Sequence, residues 1–237
     1  MAATVANALR HVHRAALAGQ RTIAPDVVEY TFRLAPEDAP LTWRAGQFIS
    51  LHCGAHLRSY SLASLPNGES FVLLVKRVVG GGASDWFRQI GIGTEVCFTG
   101  PMGFFTLELA HPGDLLFAAT GTGIAALLPM IEEALQRSET GHIHLFWGLR
   151  SDPYWIGELE RLAHRRFSST IFLSQPKGDW AGARGRITPA VLGFLPSLDR
   201  PTFYLCGNGA MIRELKQELI QRGIDRKRQI RCEAFFG

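Results

Sequence analysis

The chain has 237 residues, 46% hydrophobic and 19% charged, which suits one long domain or two compact ones and excludes a disordered or fibrous protein. Against 21 Asp and Glu, 25 Lys and Arg leave a formal charge of +4, too mild and dispersed for a nucleic-acid binder but suited to an acidic protein partner. Cys53, Cys97, Cys206 and Cys232 lie too far apart for the spacings of a zinc or iron–sulfur site, so no metal cluster of its own is expected.

At the amino end Arg10 and Arg14 interrupt the apolar residues, no signal-peptide core is present, and no later apolar run is long enough for a membrane span. A cytoplasmic protein is the expectation. Up to about residue 108 the texture is short runs of branched and aromatic residues. These predict strands at Val27–Leu34, Gln47–His52, Phe71–Val78 and Glu95–Thr99, separated by turns such as Pro66-Asn67-Gly68. An antiparallel β-barrel or sandwich over residues 1–110 follows. His111-Pro112-Gly113-Asp114 reads as the linker to residues 111–237, where strands and helices alternate. Strand Leu115–Thr120 precedes a helix whose Ile124, Leu127, Leu128, Ile131 and Leu135 share one face. Then come strand His142–Leu149, a helix near Ile156–Ala163, strands Thr170–Ser174 and Thr202–Cys206, helix Ile212–Ile220 and strand Gln229–Phe236. Such alternation predicts an α/β parallel-sheet, Rossmann-like domain.

Gly121-Thr122-Gly123-Ile124-Ala125-Ala126 follows a strand and opens a helix. Glycines there let backbone N–H groups and the helix dipole meet a pyrophosphate, although a bare strand–helix turn also favours glycine. The next strand ends in Gly148-Leu149-Arg150. A cation where an NAD-binding fold places a carboxylate points to a 2′-phosphate, hence NADPH, with Ser174, Lys177 and Arg186 as further donors; the alternative is a set of solvated surface charges. In Arg58-Ser59-Tyr60-Ser61, strand alternation puts Arg58 and Tyr60 on one face, where a forked cation clamps a phosphate and a ring stacks on a heterocycle. An ordinary barrel strand has the same spacing. Gly80-Gly81-Gly82-Ala83-Ser84, ahead of a short helix at Asp85–Phe87, is either a second phosphate nest or a flexible hairpin. His142 and His144, the five tryptophans, Cys53 and Cys97 read as packing residues, with both cysteines buried. Arg222–Arg231 reads as a solvated basic stretch able to help dock an acidic partner.

Taken in order, these segments resemble the ferredoxin–NADP⁺ reductase family of flavoproteins, over nearly the whole chain from about Val27 to Gly237. RSYSLAS is similar to its flavin motif, GGGAS to its flavin-pyrophosphate turn, GPMGFFTL to its barrel-closing segment and TGTGIAALL to its NADP loop. CGNGAMI is similar to its later strand end, and Glu233-Ala234-Phe235-Phe236 to its carboxyl terminus. The resemblance implies FAD held by Arg58, Ser59, Tyr60, Ser61, Leu74, Val75, Lys76, Gly82, Ala83, Ser84, Thr120, Phe235 and Phe236. It implies NADP held by Gly121, Thr122, Gly123, Arg150, Ser174, Lys177, Arg186, Cys206 and Gly207. Ser61, Cys206 and Glu233 would be the catalytic residues, and no metal is implied. Hydride would pass from NADPH to FAD, and electrons would leave singly to a separate ferredoxin or flavodoxin, from a monomer without membrane or nucleic-acid partners. Alternatives are a reductase of free flavin, an NADH-dependent reductase component of an oxygenase, and a non-catalytic flavin module. Three positions depart from the family pattern: Ala126 in place of proline, Gln175 where NADPH-using members carry arginine, and Gly237 after the two phenylalanines.

Overall fold

A computed structural model describes residues 11–108, 112–138 and 140–235. Six strands form the first half: β1 (Val12–Ala24), β2 (Val27–Leu34), β3 (Phe48–Cys53), β4 (His56–Ser61), β5 (Ser70–Lys76) and, after helix α1 (Gly82–Gln89), β6 (Glu95–Met102). They pair antiparallel in the order β4-β3-β6-β1-β2-β5, and the two edge strands β4 and β5 lie against each other. Inward-pointing side chains fill the curl. Tyr30 and Phe32, two apart on β2, are fully buried; Phe32 stacks on Phe71 at 5.3 Å and Phe71 meets Phe98 edge-on at 5.1 Å. Helix α1 closes one mouth through Phe87, 4.6 Å from the ring of Tyr30.

The second half carries β7 (Leu115–Thr120), α2 (Ile124–Leu135), β8 (Ile143–Leu149), α3 (Ile156–Arg161), β9 (Phe167–Leu173), β10 (Ala183–Arg184), α4 (Ile187–Phe194), β11 (Thr202–Asn208), α5 (Gly209–Gln221), α6 (Arg226–Gln229) and β12 (Ile230–Phe235). The sheet order is β10-β9-β8-β7-β11-β12, all parallel. Helices cover both faces, so β7 is apolar from Leu115 to Ala119: Leu116 and Ala118 enter one core layer, and Leu115, Phe117 and Ala119 the other. That second layer also takes in Val27, Ala45, Leu74 and Phe105 from the first half. One continuous core therefore runs from barrel to sheet. Beside it, Trp155 Nε1 donates to Glu29 Oε2 at 2.6 Å, and Arg21 pairs with the same carboxylate at 2.8 Å.

Three expectations need correction. The longest strand, β1, lies where no strand is expected from the sequence: its apolar residues are mostly alanine, and pairing with β2 and β6 holds it extended. Cys97 is exposed, because β6 alternates and its neighbours Val96 and Phe98 take the inward positions. Asp114 is no part of a loose linker. Its carboxylate is buried and accepts from His142 N at 2.8 Å and Asp199 N at 2.9 Å, pinning the start of β7 to two loops. Losing two hydrogen bonds to a buried charged group costs about 3 kcal/mol. Asp114→Ala should show that loss in denaturant unfolding, and an unchanged midpoint would contradict it.

Candidate functional site

In an open parallel sheet, ligands sit at the carboxyl ends of the strands where the strand order reverses direction. Here that point lies between β7 and β11. It faces β4, β5 and α1 across a cleft of about 1400 Å³, larger than the 300–1,000 Å³ of ordinary single-ligand sites. From the barrel come Arg58, Ser59, Tyr60, Ser61, Leu74, Lys76, Gly82, Ala83 and Ser84. The opposite wall carries Thr120, Gly121, Thr122, Arg150, Ser174, Arg186, Gly207, Glu233 and Phe235. Val75 turns into the barrel core, Gly123 and Cys206 lie buried behind the wall, and Lys177 pairs with Asp152 at 3.7 Å; none of the four lines the cleft. Phe236 falls outside the described residues.

The turns are built to leave backbone donors free. Helices α1 and α4 open onto the cleft through Gly81 and Gly82 and through Arg186 to Thr188, and α2 through the 3-10 turn Gly121–Gly123 that leads into it; none of the three has a side-chain cap. Their leading N–H groups and positive dipole ends are thus available to an anion. The glycine-rich turn is a nest rather than a floppy hairpin, because the Ser84 hydroxyl accepts from Val78 N at 2.8 Å and α1 begins at Gly82. On the other wall, Asn208 N donates to Thr120 Oγ1 at 2.8 Å. Gly207 is held at φ +122°, where a Cβ would lie 2.4 Å from Thr120 O. Only glycine lets the ends of β7 and β11 approach so closely.

Side chains from the two halves meet at the cleft floor. Ser61, buried at the end of β4, lies 3.5 Å from Glu233 Oε1 on β12. Burial pushes the Glu233 carboxyl up to about 7, with the Ser61 hydroxyl opposing part of that rise. Cys206 stands beside Glu233 in the β11–β12 register, and burial raises its thiol well above the usual range. It backs the site as packing. Tyr60 meets Phe87 edge-on at 5.6 Å, and burial raises its phenol. Arg58 is exposed and donates to Leu57 O. At the far strand ends Arg150 Nε donates to Gln175 Oε1 at 3.0 Å, so the residue standing where arginine is expected orients another arginine. Arg186 is the N-cap residue of α4. Thr188, Asn208 and Glu214 also line the cleft; Asn208 belongs to the CGNGAMI segment and Glu214 to a helix expected from the sequence, but neither is singled out there. For Thr188 the missing signal is the position of α4, hidden by Pro189 in its first turn, where proline is tolerated.

The uncapped helix starts, the arginines and the open space beside Gly121, where a Cβ would meet no atom within 4 Å, fit two phosphate-bearing ligands. Of the two histidines, His144 is partly buried, its Nδ1 2.8 Å from Ser168 Oγ, and burial lowers its pKa; His142 is exposed on the surface rather than packed.

The family model of the oxidoreductase FAD-binding domain matches residues 14–138, and that of the oxidoreductase NAD-binding domain matches residues 117–217. Ferredoxin–NADP reductase B of Sorangium cellulosum is 33% identical over 234 residues, covering 90% of this chain and 93% of that protein. The CDP-6-deoxy-L-threo-D-glycero-4-hexulose-3-dehydrase reductase of Yersinia pestis is 30% identical over 208 residues. That match covers 85% of this chain but 62% of the relative, so the chain spans less than two thirds of its length. The Amycolatopsis cytochrome P450 reductase GcoB superposes with a TM-score of 0.87 at 30% identity, covering 95% of this chain and 70% of that one.

Fold and site together define the class of FAD- and NAD(P)-binding oxidoreductases. Within it, the chain belongs to the ferredoxin reductase-like family. Among the described residues no helix is long and apolar enough to cross a membrane.

Proposed function

We propose that residues 1–110 hold FAD, residues 111–237 hold NADPH, and the chain passes electrons singly between NADPH and a ferredoxin or flavodoxin. The observation carrying this reading is the meeting of Ser61 and Glu233, one from each half, between two facing sets of uncapped helix starts. FAD, when bound, accepts a hydride and releases electrons one at a time.

On the barrel side Arg58, Ser59 and the N–H groups of Gly82, Ala83 and Ser84 bind pyrophosphate. Tyr60 offers its ring to the flavin, Leu74 and Lys76 line its edge with Val75 packed behind them in the barrel core, and Thr120 and Phe235 close over it. Across the cleft Gly121, Thr122 and Gly207 seat the nicotinamide dinucleotide, with Gly123 buried beneath them, while Arg150, Ser174 and Arg186 set its 2′-phosphate preference. Ser61 Oγ holds a proton between Glu233 Oε1 and the reacting centre, and Cys206 positions Glu233 from behind. The +4 charge favours an acidic electron carrier.

Ser61→Ala should slow flavin reduction about tenfold with little loss of bound FAD; equal rates for variant and parent would remove Ser61 from the catalytic set. Anaerobic stopped-flow reduction by NADPH and NADH in parallel, followed by addition of a ferredoxin, tests the whole reading. A protein isolated colourless, or one whose flavin is not bleached by either coenzyme, would overturn it.

A further inference from the structure

A second cluster of chemistry-bearing side chains stands apart from the cleft, and none of its members lines it. Residues two apart on an extended chain share a face, so His11 and His13 project together, with ring centroids 4.4 Å apart. Facing them is Asp38, the last residue of the short 3-10 turn Pro36–Asp38. Its carboxylate is only 4% exposed. Asp38 Oδ1 lies 2.8 Å from His13 Nδ1 and 3.1 Å from His11 Nε2. The other oxygen, Oδ2, accepts from Arg14 N at 2.8 Å, and the His13 ring is steadied by stacking on Phe98 at 5.2 Å. All three ligand atoms lie within 4.8 Å of one another.

We propose that His11, His13 and Asp38 form a binding site for a divalent cation of borderline softness, Zn²⁺ in the first instance. With Zn–N and Zn–O bonds of about 2.0–2.1 Å, a tetrahedral site sets its ligand atoms about 3.3 Å apart. The two N···O separations fall short of that by only a few tenths of an ångström. His11, 72% exposed, can shift freely, and the larger adjustment, at His13, requires a small movement of its ring against Phe98. Two imidazoles and one carboxylate are the donors such an ion takes, whereas Mg²⁺ and Ca²⁺ require a shell of oxygens. The Arg14 N–H bond to Oδ2 fixes the carboxylate and leaves Oδ1 to ligate, the supporting contact a metal-bound carboxylate needs. Three protein donors leave a fourth position for water.

Without a cation the same geometry serves as two hydrogen bonds onto one carboxylate oxygen, each imidazole carrying its proton toward Asp38. A bound cation takes the place of both hydrogen bonds, each neutral imidazole then carrying its proton on the ring nitrogen that faces away from the metal. Because His11 and His13 belong to the start of β1 and Asp38 to the connection from β2 to β3, the ion clips that connection to the sheet. Its effect is on stability, not on the cleft.

The test is titration of the full-length, flavin-loaded protein with Zn²⁺ in competition with a chromophoric chelator, alongside thermal unfolding followed by circular dichroism. One equivalent should bind, and Tm should rise by about 5 °C at a hundredfold excess over Kd, with no rise in Mg²⁺. His11→Gln, a change at an exposed position, and His13→Gln should each weaken binding about tenfold or more. The proposal fails if binding is not saturable, if Mg²⁺ gives the same rise, or if affinity is undiminished in His11→Gln. The last result would put the ion elsewhere, for example on exposed Cys97 or Cys232.

Discussion

Replacing Arg186 by alanine should lower kcat/KM for NADPH by about 30-fold or more while changing that for NADH by no more than about twofold. The residue stands at the open start of α4 and lines the cleft beside Arg150. Among the described residues no hydrogen bond or ion pair engages its guanidinium. Arginine meets a phosphate through two parallel N–H···O bonds, and hydrogen bonds to charged groups contribute about 1.5–3 kcal/mol, which sets the expected factor. NADH lacks the 2′-phosphate and should not notice the change. Steady-state kinetics with both coenzymes decide the matter. A parallel fall for the two would mean that Arg186 meets the pyrophosphate they share, and the proposed preference for NADPH would then lose its main support.

Glu233→Gln should flatten the pH dependence of flavin reduction. With its carboxyl raised to about 7 from an ordinary value of 4.5, Glu233 is a neutral acid below pH 7 and a carboxylate above it. The neutral form keeps a proton at the Ser61 end of the cleft. An ionised carboxylate there opposes the negative charge that arrives with the hydride. In the parent the rate should therefore fall about tenfold per pH unit above 7, and the variant should lose that inflection. Stability follows the same group with its own sign. Between pH 4.5 and 7 the native chain retains a proton that the unfolded chain gives up, so stability declines across that window and stays lower above it. Glutamine does not titrate, so the variant should lack this decline. Rapid-mixing rates from pH 6 to 9, together with unfolding at pH 5 and 8, check both signs. A parent inflection that survives in the variant would assign the proton to another group.

Most of the architecture is legible in the sequence, because its strands bury side chains in a regular pattern. β2 and β7 begin and end where their apolar runs do, at Val27–Leu34 and Leu115–Thr120. Helix α2 likewise follows its apolar face over Ile124–Leu135. β1 escapes notice because Ala15 and Leu17 are its only fully buried side chains, and its extension depends on partners distant in sequence. Asp114 looks like a turn residue until Asp199 and His142 are brought to it by folding. The site divides along the same line. Arg58, Ser61, Gly121 and Glu233 announce themselves through motif and order. The contact of Ser61 with Glu233 spans 172 positions, a distance no local pattern reports. His11, His13 and Asp38 are a further case: the two histidines share one face, but their carboxylate comes from the turn beyond the neighbouring strand β2.

The apolar layer that joins Val27, Leu74 and Phe105 to Phe117 and Tyr204, with Glu29 gripping Trp155 beside it, has a mechanical consequence. Jaws joined at the root resist gaping. Under the proposed function, coenzyme exchange should then need only small swings at the rim, above all of Phe235, and an incoming redox protein should meet an aperture of nearly constant shape.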